Sequence, residues 1–355
     1  MMKIISIVGA RPQFVKCAPL SRLIRRQHRE FLIHTGQHYD PELSRIFFDQ
    51  LGIPRPDIDL GVGSGPHGDQ TARMLWGVEE VLLREKPDAA LVFGDTNSTL
   101  AGSLAAAKLH IPVVHVEAGL RSFNRLMPEE INRVLTDRLS ALLLCPTETA
   151  VKNLEQEGMT DGVHNTGDVM VDAVRQNSAR AEETSQILKR LDLDPGSYYL
   201  ATVHRAGNTD RREHLGDIIS ALENLDHDVI FPIHPRTRRA MKAHDLHPER
   251  ESSLRLVDPV GYLDMLVLEK NARKILTDSG GMQKEAFLFG VPCVTLRPET
   301  EWPETLQDGW NTLTGSDPEA IAGAAQAPPP GTPPAAPFGD GRAAEKMVAL
   351  LTSLS

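Results

Sequence analysis

The chain has 355 residues, a length at which one hydrophobic core usually gives way to two. Hydrophobic residues make up 41% and charged residues 24%, the balance of a folded globular protein and not of a disordered one. A formal net charge of −10 excludes a general nucleic-acid role, and no apolar run reaches the roughly 18 residues of a membrane-spanning helix.

The opening residues read as a short strand and not as a signal peptide, so a cytoplasmic protein is expected, with Cys17, Cys145 and Cys293 as reduced core residues. Ile4–Val8 is a short, continuous apolar run, the pattern of a buried parallel strand. Phe31–His34, Ala89–Phe93, Val113–Val116 and Ala141–Leu144 repeat it, each followed by a turn and an amphipathic stretch. Pro12 suits the first turn of a helix carrying Phe14, Val15, Ala18, Leu20 and Leu23. Asp95 has the position of an N-cap for a helix over 96–109, and Thr147 that of a cap for a helix ending at Gly158. Around Asn165-Thr166-Gly167-Asp168 the chain crosses into a second half, where Tyr198–Val203, Val229–Ile233, Leu254–Val257, Lys274–Thr277 and Cys293–Leu296 are the strands. The Pro-rich stretch 327–337 reads as a semi-rigid connector, and Ala343–Leu354 as a last amphipathic helix reaching back to the first domain. This alternation predicts parallel α/β sheets.

In such sheets ligands bind beyond the carboxyl ends of the strands, and the conspicuous polar residues fall there. Thr277-Asp278-Ser279-Gly280-Gly281 ends an apolar strand and opens a helix, so Ser279 and the backbone of Gly280 and Gly281 form a candidate phosphate cradle. Gly9-Ala10-Arg11-Pro12 reads as a second such turn, with Arg11 placed for a bidentate phosphate contact and Lys16 for a point charge. Asp95 and Glu117 each follow an apolar strand, and Glu129 and Glu130 open a helix at Pro128. Carboxylates converging on one cleft suit a residue that takes and gives a proton near neutral pH. His204 and Arg205 offer two cations to a diphosphate from the second half, and Arg121, Arg125 and Arg133 flank the acids. No metal-site spacing occurs, and a GxSxG elbow, a Walker loop and a GxGxxG fingerprint are all missing.

With these motifs assembled, the chain resembles the non-hydrolysing UDP-N-acetylglucosamine 2-epimerases over nearly its full length. The resemblance rests on Gly9-Ala10-Arg11-Pro12, Thr35-Gly36-Gln37-His38, Gly94-Asp95-Thr96, the run from His115 to Ser122, the run from Pro128 to Arg133, Val203-His204-Arg205, Thr277 to Gly281 and Arg297 to Glu304, in the family's order. It implies two Rossmann-like domains with parallel sheets facing a central cleft, a GT-B-like arrangement: 1–168 carrying the catalytic acids, 169–338 binding UDP, and 339–355 as the returning helix. It implies Asp95, Glu117, Glu129 and His204 as catalytic residues. Arg11, Lys16, His204, Ser279, Gly280 and Gly281 would hold the diphosphate, Glu285 the ribose, and Gln37, His38, Arg121, Arg133 and Arg297 the sugar side. It further implies a homodimer, a UDP-sugar as the small-molecule partner, and no cofactor, metal, nucleic acid or membrane.

Some positions depart from the family's usual pattern: Gly207 where Glu is frequent, Trp302 where Thr-Glu-Arg-Pro is usual, Lys284 where Glu is common, and Tyr39-Asp40 after the Gln-His motif. Gly-Ala-Arg-Pro-Gln-Phe and Thr-Glu-Trp-Pro-Glu-Thr look more like the branch acting on UDP-2,3-diacetamido-2,3-dideoxyglucuronate. UDP-N-acetylglucosamine is the expected substrate, with that uronate as the alternative. A UDP-sugar-dependent glycosyltransferase and a non-catalytic nucleotide-sugar sensor are the readings from other classes, and neither needs a cluster of three acids.

Overall fold

The structure, a computed structural model, describes residues 1–37, 52–249, 252–331 and 336–354, with the side chain of residue 11 outside that description. The chain divides into two compact units, Met1–Gln176 with Ala336–Ser355, and Asn177–Ala335.

Unit 1 is built on seven strands: β1 (Lys3–Val8), β2 (Arg29–His34), β3 (Ile58–Asp59), β4 (Ala89–Phe93), β5 (Val113–Val116), β6 (Leu142–Cys145) and β7 (Val163–Asn165). They pair in the order β3-β2-β1-β4-β5-β6-β7, and every pair is parallel. Strands buried on both faces need continuous apolar sequence, and Ile5, Ile7, Ile33, Ala90, Val92 and Val113 join Val78 and Leu82 of the helix His67–Glu85 in one core. Order reverses between β1 and β4, so their carboxyl ends open the crevice in which such sheets bind ligands.

Unit 2 repeats the plan with six strands: β8 (Tyr199–Thr202), β9 (Val229–Pro232), β10 (Leu254–Val257), β11 (Lys274–Thr277), β12 (Cys293–Thr295) and β13 (Asn311–Leu313). Their order is β10-β9-β8-β11-β12-β13, again parallel throughout, with the reversal between β8 and β11. Thr277 is in register with Thr202, and their hydroxyls meet at 2.7 Å at the carboxyl ends of these two strands.

The expected strands are all present within a residue or two, and the two parallel sheets bear out the α/β reading. Two strands, β3 and β13, were not foreseen, and β7 was read only as a strand end around Asn165. β3, β7 and β13 are two or three residues long and carry Asp59, His164 and Asn311, too short and polar for an apolar run to mark them. The last helix, Ala343–Leu351, packs on the helix Arg11–Gln27, and the Asp172 carboxylate accepts from the backbone N–H of Ala343 and Ala344, both at 3.1 Å. Residues 332–335 of the Pro-rich stretch lie outside the described residues. The three cysteines are free and buried, and burial pushes the Cys293 thiol up to about 12. Among the described residues no helix is long and apolar enough to cross a membrane.

Candidate functional site

In unit 1 polar side chains gather beyond β1, β4 and β5. Glu117 follows β5 directly and sits at φ +74°, a left-handed conformation unfavourable for a residue with a Cβ. The turn is held there because the N–H groups of Glu117 and Ala118 donate to Leu144 O at 3.1 and 3.2 Å, and that of Gly119 to Asp137 Oδ2 at 3.2 Å. Strain kept in this way by surrounding bonds is typical of functional positions. The carboxylate of Glu117 pairs with the ammonium of Lys16, itself buried on the helix Arg11–Gln27. Burial works to lower the Lys16 pKa, but Glu117, then Asp95 and Asp168, hold the ammonium above its ordinary value.

Asp95 lies just past β4. It does not cap the following helix: Thr96 does, its hydroxyl accepting from Thr99 N, and the helix runs Asn97–Lys108. The Asp95 carboxylate pairs instead with Arg133, and Asn132 Nδ2 donates to the Asp95 carbonyl at 2.9 Å. The helix Pro128–Leu139 thus supplies two consecutive residues to one aspartate. It also separates the two glutamates of its first turn. Glu130 is buried and accepts from Ser122 N and Oγ, both at 2.9 Å, from Phe123 N at 3.0 Å and from Arg133 Nη1 at 2.7 Å. Glu129 is half-buried, and its carboxylate has no such partner among the described residues.

The Gly9-Ala10-Arg11-Pro12 turn departs from its expected role as a phosphate cradle. The N–H groups of Gly9 and Ala10 both donate to Gln13 Oε1, at 2.7 and 3.0 Å, so the chain's own amide occupies them. Gln13 Nε2 donates in turn to Phe93 O at 2.8 Å and to the hydroxyls of Thr96 and Thr99 at 3.0 Å, which ties the end of β1 to the end of β4. Glycine is required at position 9 because a Cβ would collide with the hydroxyls of Thr35 and Ser98.

Of the expected sugar-side residues in this unit, Gln37 Oε1 accepts from Ser98 N at 3.0 Å and Ser98 Oγ at 2.7 Å. Arg121 is bound on both sides: Nη1 to Asp137 Oδ2 at 2.7 Å, and Nε and Nη2 to Glu157 at 2.6 and 2.9 Å. Asp137 also takes His115 Nδ1 at 2.7 Å, a fully buried cluster behind β5. His38 and the Arg11 side chain lie outside the described residues.

In unit 2 the helix Gly280–Phe289 starts directly after β11, with Ser279 as its N-cap. Its first N–H groups and its dipole suit an anion. Gly280 is held close to other groups, since a Cβ there would collide with Glu301 Oε1 and come within 3.3 Å of Trp302 Nε1. Glu301 pairs with Arg297 Nη2 at 2.9 Å and Arg205 Nη2 at 3.5 Å. Asp278, fully buried, accepts from the N–H of His204 at 3.0 Å and Arg205 at 2.9 Å and from Asn208 Nδ2 at 3.1 Å, which fixes the loop after β8 beside the helix start. The His204 ring is partly exposed, with Nδ1 3.4 Å from Asp278 Oδ1. Glu285 is buried on the same helix and accepts from the Tyr262 hydroxyl at 3.1 Å.

In unit 1 the structure brings together Lys16, Glu117, Asp95 and Arg133, with no ion pair or hydrogen bond joining the Glu129 carboxylate to them among the described residues. In unit 2 Asp278 and Glu301 bring His204 and Arg297 to the helix start at Ser279 and Gly280, with Glu285 further along that helix against Tyr262. Sequence reasoning passed over Gln13, Asp278 and Glu301 as organisers. A buried carboxylate immediately after the apolar run Lys274–Thr277 was the available signal for Asp278. Among the described residues no group of three or more His, Cys, Asp or Glu is arranged to hold a metal ion.

Residues 22–352 match the family model described as UDP-N-acetylglucosamine 2-epimerase. The chain is 56% identical over 323 residues to a UDP-N-acetylglucosamine 2-epimerase homolog of Methanococcus maripaludis, covering 90% of each chain. It is 48% identical over 333 residues to the UDP-2,3-diacetamido-2,3-dideoxy-D-glucuronate 2-epimerase of Pseudomonas aeruginosa, covering 92% of each. The crystal structure of the Methanocaldococcus jannaschii UDP-GlcNAc 2-epimerase in complex with UDP-GlcNAc and UDP is similar at a TM-score of 0.94 and 44% identity, over 99% of this chain and 100% of that one.

Proposed function

The chain belongs to the UDP-N-acetylglucosamine 2-epimerase family, and from that premise we propose that it interconverts UDP-N-acetylglucosamine and UDP-N-acetylmannosamine without hydrolysis, unit 2 holding UDP and unit 1 moving protons. The observation that carries this reading is the pairing of two strand-end carboxylates with two buried cations, Glu117 with Lys16 and Asp95 with Arg133.

The C2 proton next to an acetamide is not acidic, so its removal is helped by expelling UDP from C1. A carboxylate takes the C2 proton, the C1–O bond breaks on the opposite face, and 2-acetamidoglucal and UDP are left. UDP then adds back at C1 as a proton is delivered to the other face of C2. Inversion needs acids on both faces, which Asp95, Glu117 and Glu129 supply, while Lys16 and Arg133 hold the carboxylates of Glu117 and Asp95 in place. At the leaving group, Ser279, Gly280, Gly281 and His204 take the charge that develops on the diphosphate, and Glu285 takes the ribose. Neither step changes oxidation state.

Of Arg121, Arg125 and Arg133, the candidate partners for a substrate carboxylate, Arg125 is exposed and the two buried ones are already engaged by Asp137, Glu157, Asp95 and Glu130. That favours the 6-hydroxymethyl sugar over the diacetamido uronate. The enzyme works in the cytoplasm as a homodimer, in cell-surface polysaccharide synthesis. Exposed Trp76, Ile131 and Leu135 support the dimer, and a monomer in sedimentation velocity would overturn it.

A proton-NMR time course in D₂O with UDP-N-acetylglucosamine as sole substrate tests the reaction. The manno epimer is expected, with deuterium at C2, in the presence of EDTA and without added nucleotide cofactor. No epimer, or retention of the original C2 proton, would overturn the mechanism.

A further inference from the structure

The segment from Arg297 to Thr305 lies against the first turns of the helix Gly280–Phe289. Thr300 Oγ1 donates to Gln283 Oε1 at 2.6 Å and accepts from Trp302 N at 3.1 Å. Beside them the Lys284 ammonium stands 3.7 Å from the centroid of the Trp302 ring. Both residues are 2% exposed, and a cation over an indole face gains most when water is excluded. The same segment carries Glu301, bound to Arg297 and Arg205, and brings the Trp302 Nε1 edge to Gly280. The stacked contact and the Thr300–Gln283 bond together tie the segment carrying Arg297, Glu301 and the indole N–H to the helix start.

Lys284 and Trp302 are also two of the positions at which the sequence departs from the family's usual pattern, Glu at the first and Arg at the second. In the folded chain these departures are a single contact. We infer that Lys284 and Trp302 are coupled positioning residues for diphosphate binding, an ammonium–indole pair whose attraction holds the segment from Arg297 to Thr305 against the helix start. This rests on reading Ser279, Gly280 and Gly281 as the diphosphate cradle. Changing one partner alone breaks the attraction: Lys284→Glu sets a carboxylate against the negative face of the indole, and Trp302→Arg sets a guanidinium against the ammonium. Changing both restores opposite charges across the same gap.

The test is a double-mutant cycle of Lys284→Glu, Trp302→Arg and the pair, with UDP affinity by titration calorimetry, kcat and KM for UDP-N-acetylglucosamine, and Tm. Each single variant is expected to weaken UDP binding by roughly tenfold or more and to raise KM more than it lowers kcat. The double variant should bind UDP within about threefold of the wild type. If a single variant fails to fold, recovery of both Tm and UDP affinity in the double variant supports the coupling. A double variant whose loss is the product of the single losses, or which recovers Tm without affinity, overturns it. The cradle itself fails separately, if Ser279→Ala and Gly280→Ala leave wild-type UDP affinity unchanged.

Discussion

At the ends of β4 and β5 unit 1 collects carboxylates and answers them with cations, whereas at the ends of β8 and β11 unit 2 collects N–H groups and buries a carboxylate beneath them. The same sheet plan, with its reversal between β1 and β4 or between β8 and β11, is put to different chemical use. Glu117 and Asp95 are carboxylates paired with Lys16 and Arg133, side chains of the kind that exchange protons with a substrate. The donors around Ser279 and Gly280 are fixed dipoles that cannot titrate, and Asp278 serves to aim the loop carrying His204. The difference supports the proposal that unit 1 carries the chemistry and unit 2 the binding.

Splitting turnover from affinity is the strongest way to break that assignment. Asp95→Asn, Glu117→Gln and Glu129→Gln keep side-chain size and remove the charge, so each should lower kcat by roughly a hundredfold or more while UDP affinity stays within a few-fold. Near-normal turnover in one of them moves that residue out of the chemistry. A smaller effect of opposite kind is expected in unit 2. Ser279→Ala and His204→Asn remove donors to a charged group, and should weaken UDP binding by about tenfold. Unchanged affinity, measured by calorimetry, would detach the two residues from the diphosphate.

The same contrast explains what could be read in the sequence. Strand-end positions were legible because parallel strands buried on both faces must be continuous apolar runs, and the polar residue that ends each run stands out. Asp95, Glu117, His204 and Ser279 were all found by that signal. What lay beyond it were partnerships made across the chain. Nothing local to Gln13 shows that its amide fills the Gly9 turn, and nothing local to Glu130 separates it from Glu129 until Ser122, Phe123 and Arg133 close around it. Lys284 and Trp302 were each visible as departures, but 18 positions of sequence separate them, and only the folded helix and segment bring them into contact.

The finest test concerns an acid in unit 2 that belongs to neither pattern. Glu269, on the helix Tyr262–Asn271, is fully buried, and neither of its carboxylate oxygens has a hydrogen-bond partner among the described residues. Burial first, and then the charge of Glu285, hold its pKa well above the ordinary carboxylate value of 4.5. Tyr262 faces both acids, and Tyr198 and Cys293 face Glu269; burial pushes all three up, and a phenol or thiol offers no positive charge to offset a carboxylate. The folded chain therefore keeps a proton that the unfolded chain releases. For a group whose folded pKa is raised, the stabilising contribution is full below the unfolded pKa and is lost as pH rises toward the folded one. Across that window the slope is at most about 1.4 kcal/mol per pH unit. Glu269→Gln mimics the protonated acid and cannot titrate. Thermal unfolding from about pH 5 to about pH 8 should show the wild type losing Tm relative to the variant as pH rises. Two parallel curves would mean that Glu269 is ionised in the folded protein, and unit 2 would then hold a buried charge that its fixed dipoles do not explain.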